Sequence, residues 1–291
     1  MAKVLITGGS GLIGAHLLRG LGPENFVYAI ARSDRLSAAM QTIEIDLGKP
    51  WSTDALPRDV ETVVHLAQSD HFRDLPLRAE DVFAVNTQST AKLLDYARSI
   101  GATQFVLASS GGVYGGGSGS LSEDLPIHAS GELGFYVGSR ICSEIISGCY
   151  SSYMNVICLR FFFVYGPGQQ PHMLVPRLVE SIRSGRAVTL RGETGLRLNP
   201  VHVDDAVLAV SKAMTLQGSH TINVAGPAVL SLREMADEIG RVVGRAPQFE
   251  VQPAGVMRDL IADTSRMRSL LCTPRISFSQ GLEAMMQSGG V

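Results

Sequence analysis

Three glycines close to the N-terminus carry the clearest chemical signal in the sequence. Gly8, Gly11 and Gly14 are spaced three apart in the segment VLITGGSGLIG, after a short apolar run and before a stretch with helical spacing. Glycine is needed there because a β-carbon would block the tight turn or keep the main chain away from a pyrophosphate. The N-terminus of the following helix offers unpaired N–H groups and a partial positive charge to the same anion. This junction of strand, turn and helix predicts that the chain binds a dinucleotide.

The first half of the chain alternates between strand-like and helix-like segments. Strands are predicted over residues 3–7, 26–31, 42–45, 61–67, 104–109 and 155–164, and helices over 12–21, 82–99 and 136–150. Short apolar strands separated by amphipathic helices are typical of a parallel sheet that is covered on both faces. We therefore predict an α/β fold with a Rossmann-type doubly wound parallel sheet.

The regular alternation loosens after about Gly166, where prolines become frequent. Helical patterns remain over residues 173–184, 204–216 and 232–243. We expect residues 1–166 to form the dinucleotide-binding domain, with further strand and helix elements contributed from 187–224. Residues 167–291 are expected to form mainly a smaller C-terminal substrate-binding cap.

The composition argues against several classes of protein. With 291 residues, 45% hydrophobic and 18% charged, the chain can build a large core and is not expected to be disordered. A net charge of -2 gives no electrostatic support for nucleic-acid binding. No apolar run approaches the roughly 18 residues of a membrane span, and the N-terminus lacks a signal-peptide pattern, so a cytoplasmic location is expected. The cysteines and histidines lack ligand spacing, so no metal site is predicted.

Motifs along nearly the whole chain resemble those of extended short-chain dehydrogenases/reductases, specifically the nucleotide-sugar 4-epimerase-like proteins of the NAD-dependent epimerase/dehydratase family. The stretch from Thr7 to Gly14 matches T-G-x-x-G-x-x-G, and RFFFVYG at 160–166 is similar to R-x-x-N-V-Y-G. Further similar segments are H-L-A at 65–67, the helix around Asn86, RLNPVHVDD at 197–205 and DTS at 263–265. The resemblance implies NAD or NADP as cofactor and a nucleoside-diphosphate sugar as substrate. It also implies a homodimer formed through two helices, here 82–99 and 136–150.

The resemblance further implies which residues contact the dinucleotide. They are Gly8, Gly11, Leu12, Ile13, Gly14, Arg32, Asp46, Leu47, Leu66, Ala67, Asn86, Tyr136, Arg140 and Phe163. In the family an acidic residue at the end of the second strand binds the ribose hydroxyls of NAD, whereas this sequence has Arg32 and no acidic residue before Asp34. An arginine can bind a 2′-phosphate with two hydrogen bonds, so Arg32 favours NADP. The alternative is that Arg32 stacks on adenine without selecting a phosphate.

The resemblance assigns the chemistry to a serine and a tyrosine. LASSGGVYG at 107–115 resembles the family's serine element and implies that Ser110 lies beside the reacting carbon; Tyr136 follows 26 residues later, near the expected spacing. Hydride transfer at a sugar carbon requires a proton to leave or reach the hydroxyl oxygen, which Tyr136 would provide while Ser110 holds the same oxygen. The family lysine four residues after the tyrosine is Arg140 here. Arginine keeps the positive charge but cannot lose a proton, so activity could be intact, reduced or lost.

The implied substrate contacts come from several segments. They are Ser110, Gly111, Gly112, Phe163, Arg197 and Arg258, of which the two arginines resemble the family's diphosphate-binding arginines. Phe163 stands where the family usually has asparagine, so the sugar pocket is expected to be more apolar there. Gly111 and Gly112 stand where dehydratases carry an acid and a base, so dehydration is disfavoured.

These features leave three functions open. Epimerisation at C4 of the sugar is favoured because the two glycines make room for a keto sugar to turn over. NADPH-dependent ketoreduction is the alternative that would suit Arg32. A dinucleotide-binding regulator without turnover is an alternative of another class. Arg140 and Phe163 favour that alternative, and the Ser110 and Tyr136 pair opposes it.

Overall fold

The computed structural model describes residues 2–22, 24–32, 40–255 and 258–288. The strands, in chain order, are β1 (Ala2–Thr7), β2 (Asn25–Ala31), β3 (Gln41–Glu44), β4 (Thr62–His65), β5 (Gln104–Ser110), β6 (Ser120–Leu121), β7 (Asn155–Phe161), β8 (Val164–Tyr165), β9 (Val188–Arg191), β10 (Arg197–Leu198), β11 (Val201–His202), β12 (His220–Val224), β13 (Leu230–Ser231), β14 (Phe249–Gln252) and β15 (Ile261–Ala262). The helices are α1 (Leu12–Gly20), α2 (Ala79–Phe83), α3 (Ser89–Ser99), α4 (Gly134–Gly148), α5 (Leu174–Ser184), α6 (Val203–Ala213), α7 (Leu232–Val243), α8 (Ser265–Leu270) and α9 (Phe278–Gln287).

The chain divides into two compact units. The first unit comprises the chain up to Val113 together with Ile127–Arg160 and Val207–Ile222, and the second comprises Tyr114–Pro126, Phe161–Ala206 and the chain from Asn223 onward. This division differs from the expected boundary at residue 166, because the chain already enters the second unit at 114 and 161 and returns to the first at 207. Which unit binds the dinucleotide and which binds the substrate stays a prediction.

A seven-stranded sheet runs through the described residues in the order β12-β7-β5-β4-β1-β2-β3. The pairs from β3 to β5 are parallel, and their register places Thr7 beside both Ile30 and His65, and His65 beside Leu107. The carboxyl ends of these strands therefore meet along one edge of the sheet. In open parallel sheets this edge is where ligands bind.

The central strands are buried along most of their length. Val4, Leu5 and Ile6 of β1 and Val63 and Val64 of β4 have no exposed surface. Strands buried on both faces read as continuous apolar runs, which is why the sequence predicted them within a few residues. The expected helix over 82–99 is interrupted, because residues 84–88 form a π-helical turn between α2 and α3.

A buried ion pair attaches α4 to the sheet. The carboxylate of Glu144 accepts hydrogen bonds from Arg160 Nε at 3.0 Å and from Arg160 Nη2 at 2.7 Å. The hydroxyl of Ser109 donates to the same carboxylate. Helix α4 is thus joined at Glu144 to both β5 and β7.

The second unit has its own core and short two-stranded sheets. Side chains from α5, α7 and α9 pack in one apolar cluster that includes Val179, Ile182, Met235, Ile239 and Leu282. The strand pairs are β10 with β13, β11 with β8, β14 with β9 and β15 with β6. The helices α8 and α9 were not predicted from the sequence. Over the ranges given above, the structure contains no helix that is long and apolar enough to cross a membrane.

Candidate active site

The three glycines form a tight turn against the end of β4. Gly8 has φ +74°, and a β-carbon on it would lie 2.7 Å from the main-chain nitrogen of Ala67. A β-carbon on Gly14 would lie 2.1 Å from the carbonyl oxygen of Gly8. Gly11 precedes α1 in an extended conformation, and no side chain caps the helix N-terminus. The turn leaves a helix N-terminus open above closely packed main chain, and this arrangement fits a pyrophosphate.

A buried polar network lies beneath this turn. Nδ1 of His65 lies 2.7 Å from Thr7 Oγ1, and Nε2 lies 3.1 Å from Thr90 Oγ1 and 3.3 Å from Ser89 Oγ. Both Ser89 and Thr90 donate their hydroxyl protons to main-chain carbonyls, so their oxygens accept from His65 Nε2–H. Nδ1 then accepts from the Thr7 hydroxyl, whose oxygen also accepts from the Ala67 N–H at 3.2 Å. The network connects the glycine turn to β4 and α3.

His65 is held neutral by its surroundings. Burial lowers the pKa of His65 to about 3, and the positive charge of Arg140 acts in the same direction. A protonated ring could not accept the Thr7 hydrogen bond, because both of its nitrogens would be donors. Neutral His65 therefore stabilises the turn that would hold the dinucleotide.

Arg140 lies at the ends of β4 and β5 and is only 2% exposed. Its Nη1 donates to the carbonyl of Ala108 at 3.1 Å, and its Nη2 donates to the carbonyl of Ala67 at 3.4 Å and to Gln68 Oε1 at 3.2 Å. The hydroxyl of Tyr136 donates to the same Gln68 oxygen at 2.9 Å. The guanidinium carbon is 5.6 Å from the centre of the Tyr136 ring. A fixed positive charge thus lies close to the Tyr136 phenol.

Ser110 lies beside the first turns of α4. It is the last residue of β5, and its Oγ accepts from the Gly112 N–H at 3.1 Å. A β-carbon on Gly112 would lie 3.2 Å from that Oγ and 3.2 Å from a methyl group of Val137, the residue after Tyr136. The first unit therefore brings together Ser110, Gly112, Tyr136 and Arg140, as the sequence predicted; their catalytic roles stay predictions.

Two further residues at the predicted cofactor edge already have polar partners. Asn86 is buried, accepts from the Ser69 N–H at 3.1 Å and donates to Ser139 Oγ at 3.0 Å. Asp46 accepts from the Gly48 N–H at 3.0 Å and pairs with Lys49 at 3.4 Å. These bonds give both side chains a structural role, and their contact with a dinucleotide stays a prediction.

Arg32 directly follows β2 and forms an ion pair that the sequence did not predict. Its Nη2 lies 2.7 Å from Asp70 Oδ2, and the two side chains are 64% and 67% exposed. Asp34, the first acidic residue after Arg32 in the sequence, lies outside the described residues.

Gln68 and Asp70 are the residues that sequence reasoning missed. The sequence signal for these two residues was their position shortly after the H-L-A segment. A motif does not show which side chains contact each other at the edge of a sheet.

The remaining predicted substrate residues lie in the second unit. Phe163 has φ +46° between β7 and β8 and packs against the apolar core of that unit. Arg197 and Arg258 are both exposed. The segments that carry them are adjacent, because the Arg197 N–H donates to Asp259 Oδ1 at 3.0 Å and the Arg197 carbonyl accepts from Leu260 at 3.0 Å. Within the described ranges, no group of three His, Cys, Asp or Glu side chains is placed to hold a metal ion.

Known proteins with similar sequences and structures include nucleotide-sugar enzymes. The model of the NAD dependent epimerase/dehydratase family matches residues 4–225. The dTDP-glucose 4,6-dehydratase of Streptomyces griseus is 29% identical over 97% of this chain and 92% of its own length.

Two solved structures cover nearly the whole chain. MoeE5 in complex with UDP-glucose and NAD superposes with a TM-score of 0.86 and 28% identity, over 99% of this chain and 98% of that chain. UDP-glucuronic acid 4-epimerase from Bacillus cereus, in complex with UDP-glucuronic acid and NAD, superposes with a TM-score of 0.85 and 25% identity, over 98% of both chains. The Rossmann-type α/β fold predicted from the sequence is confirmed.

The neutral state of His65 generates a prediction about stability and pH. The folded-state pKa of about 3 lies below the ordinary value of 6.5, so only the unfolded chain takes up this proton as the pH falls from 6.5 towards 3. This one group should lower the free energy of unfolding by about 2 kcal/mol at pH 5 relative to pH 7.5. Urea unfolding of wild type and of His65→Gln at both pH values measures how much the free energy of unfolding falls between pH 7.5 and pH 5. We expect His65→Gln to lack the part of that fall that His65 contributes. The exposed His128→Gln variant serves as control and should keep it; equal pH dependence in all three proteins would contradict the prediction.

Proposed function

This chain belongs to the NAD-dependent epimerase/dehydratase family, and on that premise we propose that it interconverts C4 epimers of a UDP-linked sugar. The observation that carries the proposal is the meeting of Tyr136, Arg140 and Ser110 at the carboxyl ends of β4 and β5. NAD, when bound, supplies a hydride acceptor that returns the hydride later in the same cycle. Two of the solved structures described above hold NAD and a UDP-sugar, which supports this choice of cofactor and substrate.

The chain's own residues divide the proton chemistry between them. Tyr136 takes the proton from the C4 hydroxyl while the C4 hydrogen leaves as hydride, which leaves a ketone at C4. After the keto sugar has turned over, hydride returns to the other face and Tyr136 gives the proton back to the same oxygen. Ser110 hydrogen-bonds that oxygen, and the guanidinium of Arg140 lies beside the Tyr136 ring, 5.6 Å from its centre.

Dehydration is disfavoured although a dehydratase is among the relatives. Elimination needs an acid and a base beside the sugar ring, and the residues that follow Ser110 are Gly111 and Gly112, which have no titratable group.

A regulator without turnover is also disfavoured, because the serine, the tyrosine and the cation all lie at one end of β4 and β5. Ketoreduction remains the second candidate, supported by the cation of Arg32.

We propose NAD rather than NADP as the cofactor, which departs from the preference that Arg32 alone suggests. Asp70 lies 2.7 Å from the Arg32 guanidinium, so any 2′-phosphate bound by Arg32 would also approach a carboxylate. A carboxylate repels a 2′-phosphate and can bind ribose hydroxyls instead. Since the ion pair is exposed, it contributes little to stability, but its negative charge remains available to select the cofactor.

We also propose that the protein forms a homodimer through the exposed side of α4 and the neighbouring helical segment 79–99. Ile145 on α4 is 64% exposed and Phe83 is 49% exposed, and both are large apolar side chains. Cys142 on α4 and Cys149, the residue after α4, are exposed as well. Exposed apolar side chains grouped on helices are typical of an interface between subunits.

The reaction itself is tested by replacing the phenol hydroxyl. We expect Tyr136→Phe to lower kcat by about 10²–10⁴-fold, because proton transfer is lost while the dinucleotide is still bound. UDP-glucose and UDP-glucuronic acid are incubated with each protein and the C4 configuration of the product is followed by ¹H NMR. Tyr153→Phe, at an exposed tyrosine, is the matched control and should retain activity. A 4-keto-6-deoxy product, or reduction that consumes NADPH, would rule out the epimerase.

The cofactor is tested by titration with NADH and NADPH, followed by nicotinamide fluorescence. We expect wild type to bind NADH at least about tenfold more tightly, and Asp70→Asn to narrow that ratio because the repulsion of the 2′-phosphate is removed. Arg32→Gln should weaken NADPH binding in either background. Tight NADPH binding by wild type would refute the proposal and place ketoreduction first.

The interface is tested by light scattering after gel filtration. Ile145→Glu should convert a dimer to a monomer, because a buried charge at the centre of an interface is costly. Val251→Glu places the same charge at an apolar residue of the second unit that is 54% exposed, and it should leave the dimer intact. A monomeric wild-type protein would contradict the homodimer.

A further inference from the structure

Gln68 accepts hydrogen bonds from two residues of the candidate active site through one atom. Its Oε1 lies 2.9 Å from the Tyr136 hydroxyl and 3.2 Å from Arg140 Nη2. We propose that Gln68 is a positioning residue, which aims the Tyr136 hydroxyl and through which Arg140 acts on it. This inference extends the role proposed for Tyr136 and names a residue that neither the motifs nor the resemblance assigns.

The position of Arg140 cannot adjust freely. Its guanidinium is buried and donates to the main-chain carbonyls of Ala108 and Ala67, which follow or belong to neighbouring strands of the sheet. One Nη2 proton goes to Ala67 and the other is directed at Gln68 Oε1. Movement of the guanidinium would break bonds to the sheet, so the guanidinium is a fixed donor that sets the position of the Gln68 amide.

The orientation of that amide follows from the chemistry of its neighbours. A guanidinium has only donors, and the Tyr136 phenol points its one proton at Gln68. The amide oxygen must therefore face both groups. Rotating the amide by half a turn would place its NH₂ group against the guanidinium, with donors on both sides. Gln68 Nε2 is therefore directed away from Arg140, and Gln68 Oε1 stays within hydrogen-bond distance of the Tyr136 hydroxyl.

This arrangement fixes the direction of the phenol. While Tyr136 is a phenol, its proton points at Gln68 and its lone pairs face elsewhere, where a sugar hydroxyl can donate a hydrogen bond to them. Once the phenol proton has left to solvent, the tyrosinate oxygen takes the proton of a sugar hydroxyl at the same place. The ring is also restrained, because Phe72 packs on it with 5.3 Å between ring centres. Gln68 itself is exposed, so its replacement should not disturb the core.

Few charged groups face this phenol among the described residues. Arg140 faces it from α4, and an arginine stays protonated in proteins. His65 faces Arg140 from β4 and stays neutral above about pH 3, and Arg73 lies over the Phe72 ring. Arg140, His65 and Arg73 keep their charge states between about pH 5 and pH 9. On the segment that carries Gln68 and Phe72, His71 lies 2.8 Å from Asp74 Oδ2, and Asp70 pairs with Arg32. A change in the pH profile after substitution of Gln68 therefore reports on Tyr136 if the same change persists in a His71→Gln background.

The first experiment observes the hydrogen bond without turnover. Full-length protein is labelled with [¹³Cζ]tyrosine, and the Tyr136 resonance is identified by its loss in Tyr136→Phe. We expect Gln68→Met, which keeps the side-chain length but removes the acceptor, to shift that resonance at neutral pH. Gln88→Met, at an exposed glutamine of the segment between α2 and α3, is the matched control and should leave it in place.

The second experiment uses turnover of UDP-sugars. We expect Gln68→Met to lower kcat by roughly tenfold or more with little change in KM, since the phenol is no longer aimed. The ascending limb of its kcat pH profile should move to lower pH, because the acceptor that favours the protonated phenol is gone. Gln68→Glu keeps an acceptor but adds a negative charge that opposes the tyrosinate, so its limb should move to higher pH by about one unit or more.

If the pH limbs of Gln68→Met and Gln68→Glu move in opposite directions, Gln68 acts on the Tyr136 phenol. A merely structural role of Gln68 would not produce opposite shifts. An unchanged Tyr136 resonance in Gln68→Met, or pH limbs that move in the same direction in both variants, would overturn the inference. A shifted resonance in a protein that converts no UDP-sugar would uphold the contact between Gln68 and Tyr136 and overturn the proposed function instead.

Discussion

A guanidinium buried at the end of a parallel sheet is the constraint on which the rest of the site depends. Arg140 is 2% exposed, and a buried charge must find its solvation within the protein. Here two main-chain carbonyls at the ends of β4 and β5 and one glutamine oxygen provide it. Burial keeps His65 neutral and this charge acts in the same direction, and neutral His65 in turn holds Thr7, which precedes the glycine turn. One cation therefore links the proposed phosphate cradle to the proposed base.

The buried guanidinium of Arg140 can hold its position only because α4, which carries it, is fixed in direction. The Glu144 carboxylate binds Arg160 of β7 and Ser109 of β5 inside the first unit. Glu144 lies one helical turn beyond Arg140, so the ion pair also sets the rotation of the helix about its axis. Burial of such a pair contributes little net stability, but it specifies one arrangement of the groups around it. We infer that it serves here to place the phenol of Tyr136 and the guanidinium in register with the strand ends.

Sequence reasoning predicted what depends on local patterns and missed what depends on tertiary contacts. The glycine turn and the central strands are local, because periodicity and spacing report them directly. The tyrosine near the start of α4 was identified through the family resemblance. The contacts of Gln68 and Asp70 join residues far apart in the chain, and no spacing rule reports them. The chain crosses between the two compact units several times, and the expected division into a dinucleotide-binding domain and a cap stays a prediction. The homodimer and the cytoplasmic location stay predictions.

The exchange of lysine for arginine bears on which reaction this site can sustain. Arginine cannot release a proton, so Arg140 cannot pass one between Tyr136 and solvent. A reductase consumes one proton in each turnover and must refill its tyrosine from outside. An epimerase takes a proton from the C4 oxygen and returns it to the same oxygen, so the tyrosinate is restored within each cycle. Arg140, which is buried and held by main-chain carbonyls, cannot carry a proton from solvent to Tyr136, and an epimerase does not need such a transfer in each cycle. The arginine that departs from the family pattern is therefore itself an argument for epimerisation over ketoreduction.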